Sequence, residues 1–174
     1  YNSQASNVIS AIVQRLTGEG RVDYLRPRLF EPLGIPTPEW ELTPDGICTG
    51  GWGLLLRTEE IARFGQTLLQ GGMWQGRQVI PAAWVAEATA RQVPNGTDPK
   101  SDWAQGYGYQ YWRCRHNAFR GDGAFGQHAG FALCPHRATL EFTQIPGQQR
   151  QTMGVVPEQI AFDQHLGHRP GGLA

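Results

Sequence analysis

The sequence predicts an α+β fold, with helices through the first half and antiparallel strands in the second. Three observations carry this. Apolar residues recur at three- and four-residue spacing in segments near residues 4–16, 58–69 and 82–90. Aromatic and small or polar residues alternate at period two from Tyr107 to Cys114. The chain's 174 residues suffice for one well-buried domain.

Taken in order, Ser3 or Ser6 caps a first helix over about Gln4 to Leu16, with Val8, Ile9, Ile12, Val13 and Leu16 as its apolar stripe and Gly18 as its stop. Leu25, Leu29 and Phe30 predict a short second helix, interrupted or started near Pro27. Phe30 to Ile35 is a loop with an apolar plug at each end, and Pro36, Pro38 and Pro44 hold an extended connection to Cys48. Gly50, Gly51 and Gly53 bracket Trp52, so the backbone turns tightly and passes near something. Thr58 reads as the cap of a helix whose face is Ile61, Phe64, Leu68 and Leu69, stopped by Gly71-Gly72. Met73 to Val79 reads as a turn or hairpin. Pro81 suits the first position of a third helix, Ala82 to Ala90, facing inward through Trp84, Val85 and Ala88. Pro94 to Asp102 is a polar loop. Tyr107 to Cys114, Phe131 to Leu133 and Thr139 to Thr143 read as strands. Thr152 to Leu166 has some helical spacing, weakened by Gly154 and Pro157, and the tail from His168 reads as frayed.

Composition excludes several partners. Net charge is +0 with 17% charged residues, so no face is basic enough for nucleic acid. No run is long and apolar enough to cross a membrane. Cys48, Cys114 and Cys134 are odd in number and at no metal-ligand spacing, which predicts structural thiols. The five histidines show no metal-binding spacing either. Six tryptophans and 23 glycines imply large aromatic surfaces against close backbone. The sequence opens directly on Tyr1-Asn2-Ser3 and a helix, and reads as a fragment whose upstream part is missing. Compartment and oligomeric state are left open.

The residues alone offer three candidates for chemistry, each with a plainer alternative. Trp52 among its glycines is either the wall of a pocket or a core tryptophan in a tight turn. Tyr1 is either a proton-transfer phenol, if cations hold its pKa down, or a buried tyrosine with a satisfied hydroxyl. Asp122, between Gly121 and Gly123, is either a turn residue or a polar group in a cleft, its neighbours favouring the turn.

Tyr1-Asn2-Ser3, the helix ending Leu16-Thr17-Gly18, Tyr24-Leu25 and Leu29-Phe30-Glu31-Pro32-Leu33-Gly34-Ile35 together resemble the serine β-lactamase-related hydrolases. That family includes class C β-lactamases, D-alanyl-D-alanine carboxypeptidases (penicillin-binding proteins) and related bacterial esterases. Gly51-Trp52-Gly53-Leu54, the segment from Thr58 to Phe64, Ile80-Pro81 with Trp84-Val85, Asp102-Trp103, Gly106-Tyr107-Gly108-Tyr109 and Asp122-Gly123-Ala124-Phe125-Gly126-Gln127 continue the resemblance to about Thr143. It implies a partial β-lactamase/transpeptidase-like fold, residues 1–174 being the C-terminal part of a single domain, with 146–174 unassigned.

The family's first motif, Ser-x-x-Lys, which supplies the acylated nucleophile and its lysine, does not occur: the one lysine, Lys100, has Thr97 three residues before it. Tyr1-Asn2-Ser3 matches the second motif, which implies that Tyr1 shuttles the nucleophile's proton and that Ser3 bonds near the lysine. Gly121-Asp122-Gly123 is the nearest match to the third motif, but no lysine or histidine stands at Gly121; Arg120 is one residue early and His128 downstream. The resemblance therefore implies an ester or amide hydrolase rather than a β-lactam specialist. Substrate would lie against Trp52, Gly121, Asp122 and Gly123, with the strand's N–H as half of an oxyanion hole. It implies no metal, no organic cofactor and a small-molecule ester, amide or peptide as partner. Without the nucleophile the piece is expected to be inactive. The alternative is a non-catalytic relative that binds peptides or cell-wall fragments, or a decayed gene product.

Overall fold

The computed structural model describes residues 2–122 together with the backbone of the strands His128–Cys134, Arg137–Thr143 and Gln151–Val155. The chain divides into two compact units, Tyr1–Val85 and Ala86–Ala174. Together the elements make the expected α+β architecture, helices first and antiparallel strands last.

In the first unit, α1 spans Ser3–Thr17. Its cap is Asn2 rather than either serine: the Asn2 backbone is extended, and its Oδ1 accepts from the Ala5 N–H at 3.0 Å. Asparagine caps at least as well as serine and stands one residue ahead, which leaves Ser6 inside the helix with its hydroxyl donating to the Asn2 carbonyl. Gly18 closes the helix at φ 70, a left-handed stop. The facing of α1 is the reverse of that expected. Val8, Ile9, Ile12 and Leu16 are exposed, Leu16 by 81%, while Ser6 and Ser10 are buried. The cause is a backbone segment too close for large side chains: Ser10 Oγ donates to the Cys48 carbonyl, and Gln14 Nε2 reaches the Gly46 carbonyl.

The short second helix is α2, Arg21–Leu25, which runs on into a π-helical turn, Arg26–Phe30. As expected, the α-helical bonding is interrupted next to Pro27, which stands in the first positions of the π-helical turn. The turn widens, so that the Glu31 N–H reaches the Arg26 carbonyl five residues back. Phe30, Leu33 and Ile35 form the buried centre of this unit, with Leu25, Leu29, Trp40, Leu56, Phe64 and Trp74 packed around it.

The connection expected to run extended up to Cys48 instead folds back on residues 48–54. Trp40 bridges Leu54 and Leu42 bridges Cys48, both antiparallel, around a turn at Gly46. Helix α3, Thr58–Leu69, begins one residue earlier than expected: Arg57 holds the cap position, its N–H donating to the Glu60 carboxylate at 2.7 Å. A glutamate in the third helical position can serve the cap N–H itself, so Thr58 moves into the first turn. The Gly71-Gly72 stop is as expected. A Cβ on Gly72 would fall 1.9 Å from the Ile80 carbonyl oxygen. Strands β1, Met73–Trp74, and β2, Arg77–Gln78, form a hairpin through Gln75 and Gly76, both at positive φ as a two-residue turn requires. Helix α4 spans Ala82–Thr89, after Pro81, whose carbonyl accepts from the Val85 N–H. Val85 and Ala88 are buried as expected, but Trp84 is exposed.

In the second unit the alternating run from Tyr107 to Cys114 is not one strand. Tyr107 bridges both Val93 and Trp112, the chain reverses through Gln110 at φ 68, and only Trp112–Arg113 remains as β3. Gly108 is what lets the bend seat: a Cβ there would lie 2.2 Å from the Ala88 carbonyl oxygen. Then β4, Phe119–Asp122, β5, His128–Cys134, β6, Arg137–Thr143, and β7, Gln151–Val155, complete an antiparallel sheet in the order β3-β4-β5-β6-β7. The two expected strands fall in β5 and β6, both longer than expected, and His128 and Cys134 are regular members of β5. The helical spacing from Thr152 is overturned at its start, where Gln151–Val155 pairs with β6. Thr152 and Val155 are β-branched and β6 offers an unpaired edge, so the ladder wins. Residues 156–174 lie outside the described residues.

Candidate functional site

In the first unit the tryptophan loop docks on the start of α1. Gly50 lies so close that a Cβ would fall 1.9 Å from the Ser6 carbonyl oxygen, and its N–H donates to Asn7 Oδ1 at 2.6 Å. The next residues are held from inside. Thr49, fully buried, donates its hydroxyl to the Trp52 carbonyl at 2.6 Å, and the Trp40 indole N–H donates to the Thr49 and Trp52 carbonyls. Gly53 sits at φ 81, where a Cβ would strike Glu41 and Thr49. With its backbone fixed this way, the Trp52 side chain stays 49% exposed. Trp40 carries the Arg21 guanidinium over its ring at 5.0 Å, and burial lowers the Arg21 pKa.

Ser3 opens α1, half-buried, one turn before Ser6. The tight approach of Gly50 therefore ties the Trp52 loop to the first turns of the helix that Ser3 begins. Tyr1 lies outside the described residues.

In the second unit Gly121 and Asp122 are in β4, and Gly123 lies outside the described residues. The turn expected at Asp122 is not there: Asp122 pairs in register with His128 on β5. Residues two apart on a strand share a face, and Arg120 and Asp122 use this. Arg120 Nε donates to Asp122 Oδ2 at 2.8 Å, the two side chains being 15% and 8% exposed. Arg120 Nη1 donates to Cys114 Sγ at 2.9 Å, and the guanidinium carbon stands 4.3 Å above the Trp103 ring. Trp103 meets Trp112 edge-on at 4.9 Å, and Trp112 meets Tyr107 at 4.6 Å. Burial pushes the Cys114 thiol up, with Arg120 opposing, so it is a neutral sulfur acceptor. Arg115 donates to Asp102 at 2.9 Å and holds its carboxyl below the usual range.

Sequence alone points to Trp52, Gly121 and Asp122 but misses what fixes them: Asn7, Thr49 and Trp40 in one unit, Arg120, Cys114 and Trp103 in the other. Only the Arg120–Asp122 pair has a local signal, its spacing of two. Among the described residues no group of His, Cys, Asp and Glu could hold a metal ion, and no helix is long and apolar enough to cross a membrane.

No family model matches the sequence, and no curated protein matches it. The fold is matched by a solved structure described as "Putative 6-aminohexanoate-dimer hydrolase from Bacillus anthracis", with a TM-score of 0.62 and 22% sequence identity. The likeness covers 75% of this chain and 34% of that one, so the chain spans about a third of the length of the structure it matches. That neighbour has a β-lactamase-like fold, and at this identity the likeness is one of architecture: the chain carries part of a β-lactamase-like α+β fold.

Proposed function

We propose that the chain is part of a serine hydrolase of the β-lactamase-related kind, cleaving ester or amide bonds through an acyl-enzyme. The observation that most supports this is the docking of the glycine-bracketed loop on α1, with Gly50 pressed against Ser6 and Trp52 left half-exposed beside it. A large ring kept at the surface by a buried threonine and an indole hydrogen bond is suited to touch a ligand. The fold likeness to a protein named as a hydrolase adds support and fits a small-molecule substrate.

In this reading a serine supplied from outside residues 1–174 attacks the carbonyl carbon, its proton leaving through the adjacent lysine and the Tyr1 phenol to the departing alcohol or amine. Ser3 bonds beside the lysine. A backbone N–H at the end of β4, near Gly121 and Gly123, shares the oxyanion with the N–H of that serine. Water then attacks the acyl carbon and frees the enzyme. Asp122 keeps Arg120 in place at this strand end.

One observation favours a second reading, a non-catalytic relative that binds peptides or cell-wall fragments. Gly121 carries no cation, and the nearest one, Arg120, is already engaged by Asp122. The two readings separate on acylation. Residues 1–174 alone should turn over neither nitrocefin nor p-nitrophenyl acetate. A chain extended upstream through a Ser-x-x-Lys segment should show a burst of p-nitrophenol and a mass increase on that serine. Turnover by residues 1–174, or an extended chain that is never acylated, refutes the hydrolase reading as stated.

A further inference from the structure

Arg120 is the one described cation whose guanidinium is stacked, ion-paired and short of one partner at once. Nε meets Asp122 and Nη1 meets Cys114, while Nη2 is closed off from solvent with no hydrogen-bond partner. A buried donor left without an acceptor is unfavourable, and more so when it carries charge. Native structures keep few such groups, and the missing acceptor is commonly a ligand or a water.

We propose that Arg120 and Trp103 form a subsite for a neutral carbonyl group, an amide or an ester, whose oxygen accepts from Nη2 while its plane lies along the Trp103 indole. The choice of a neutral acceptor rests on the charges already present. Asp122, nearly buried beside Nε, balances the guanidinium, so a second carboxylate would bring an uncompensated charge into a desolvated corner next to Asp122. A carbonyl oxygen takes the N–H and adds no charge. Access comes through Trp103, which is 52% exposed and comes after a run, 91–100, whose residues are all exposed. Its ring meets Trp112 edge-on and carries the Arg120 guanidinium over one face, and the rest of the half-exposed indole lines the approach. This subsite goes beyond the hydrolase reading and does not depend on it, since binding a carbonyl needs no nucleophile.

The test uses the ¹⁵N-labelled 174-residue chain and two probes of nearly equal shape, butyramide and butyrate, at matched ionic strength. Butyramide should shift the Arg120 Nε–H and Trp103 Nε1–H signals saturably, and butyrate should not. Arg120→Gln should abolish the response. If that variant fails to fold, Trp103→Leu, which leaves the Arg120–Asp122 pair intact, should weaken butyramide binding about fivefold, the scale of one lost ring contact. An equal or stronger response to butyrate overturns the neutral-carbonyl assignment. No saturable shift with either probe assigns Nη2 to a buried water and overturns the subsite, and an unaltered response in Trp103→Leu does the same.

Discussion

Replacing Gly50 with alanine adds one methyl group at the point where the tryptophan loop meets α1. That methyl carbon would sit 1.9 Å from the Ser6 carbonyl oxygen, 2.3 Å from the Ser6 carbonyl carbon and 2.8 Å from the Asn7 nitrogen. All three are helix backbone, so no side-chain rotation relieves them. Restoring an ordinary contact distance requires the loop to retreat by about 1.5 Å. A retreat of that size breaks the Gly50 N–H bond to Asn7 Oδ1 and the Ser10 Oγ bond to the Cys48 carbonyl. Two lost bonds cost about 1–3 kcal/mol together, and the displaced packing adds about 1–3 kcal/mol. Gly50→Ala should therefore lose about 2–6 kcal/mol in urea unfolding monitored by tryptophan fluorescence. Gly46→Ala is the control. Gly46 has φ 76 but nothing within 4 Å of its Cβ position, so it should cost only the left-handed strain of about 1 kcal/mol. Equal losses at the two positions, or a Gly50→Ala change under about 0.5 kcal/mol, would refute the claim that the loop is pinned to the helix.

In an upstream-extended, active form, Tyr1→Phe should lower the acylation rate by roughly 10² to 10⁴ with folding spared; a rate within a few-fold of the parent would make Tyr1 a packing residue. Trp52→Ala should shift unfolding by less than about 1.5 kcal/mol, well below the 3–5 kcal/mol or so of a buried tryptophan, while turnover of the extended form falls; a large loss of stability would refute the surface role. Burial pushes the Tyr111 phenol up to about 12, whereas an unfolded tyrosine ionises near ~10. The folded state then holds a proton the unfolded state has released. Stability should be unaffected by this group below about pH 10 and fall as pH climbs towards 12, by about 1.4 kcal/mol per unit. Tyr111→Phe should remove that part of the slope.

Much of the fold is legible where one local rule acts alone. The left-handed stop at Gly18, the Gly71-Gly72 terminator and the two strands around residues 131 and 140 need only neighbours in sequence. The departures share a different cause, competition from groups far along the chain or from a better local donor. Asn2 displaces Ser3 as a cap, and Arg57, its N–H served by the Glu60 carboxylate, displaces Thr58. The Tyr107 alternation is broken by Gly108 seating against Ala88, a partner 20 residues earlier that no periodicity reveals. For the candidate site, the glycines around Trp52 signal a close approach but not its object. The object is Ser6, and only the fold identifies it. Arg120 and Asp122 can be paired from their spacing, but Cys114 and Trp103 come from a bend and a loop, where spacing carries no information.

The reversed facing of α1 changes what tolerance to substitution means on that helix. A scan guided by hydropathy would protect Ile9, Ile12 and Leu16 and treat Ser6 and Ser10 as free positions. The geometry ranks them the other way in this chain. Leucine at position 10 would have to fit where the hydroxyl touches the Cys48 carbonyl, whereas a charged residue at position 16 would meet solvent. Polar-to-apolar changes at Ser6 and Ser10 should thus be the lethal class on α1, and apolar-to-charged changes at Val8, Ile9, Ile12 and Leu16 the silent one. A scan that returned the opposite ranking would report, from phenotype alone, that something covers the apolar ridge when the protein is at work.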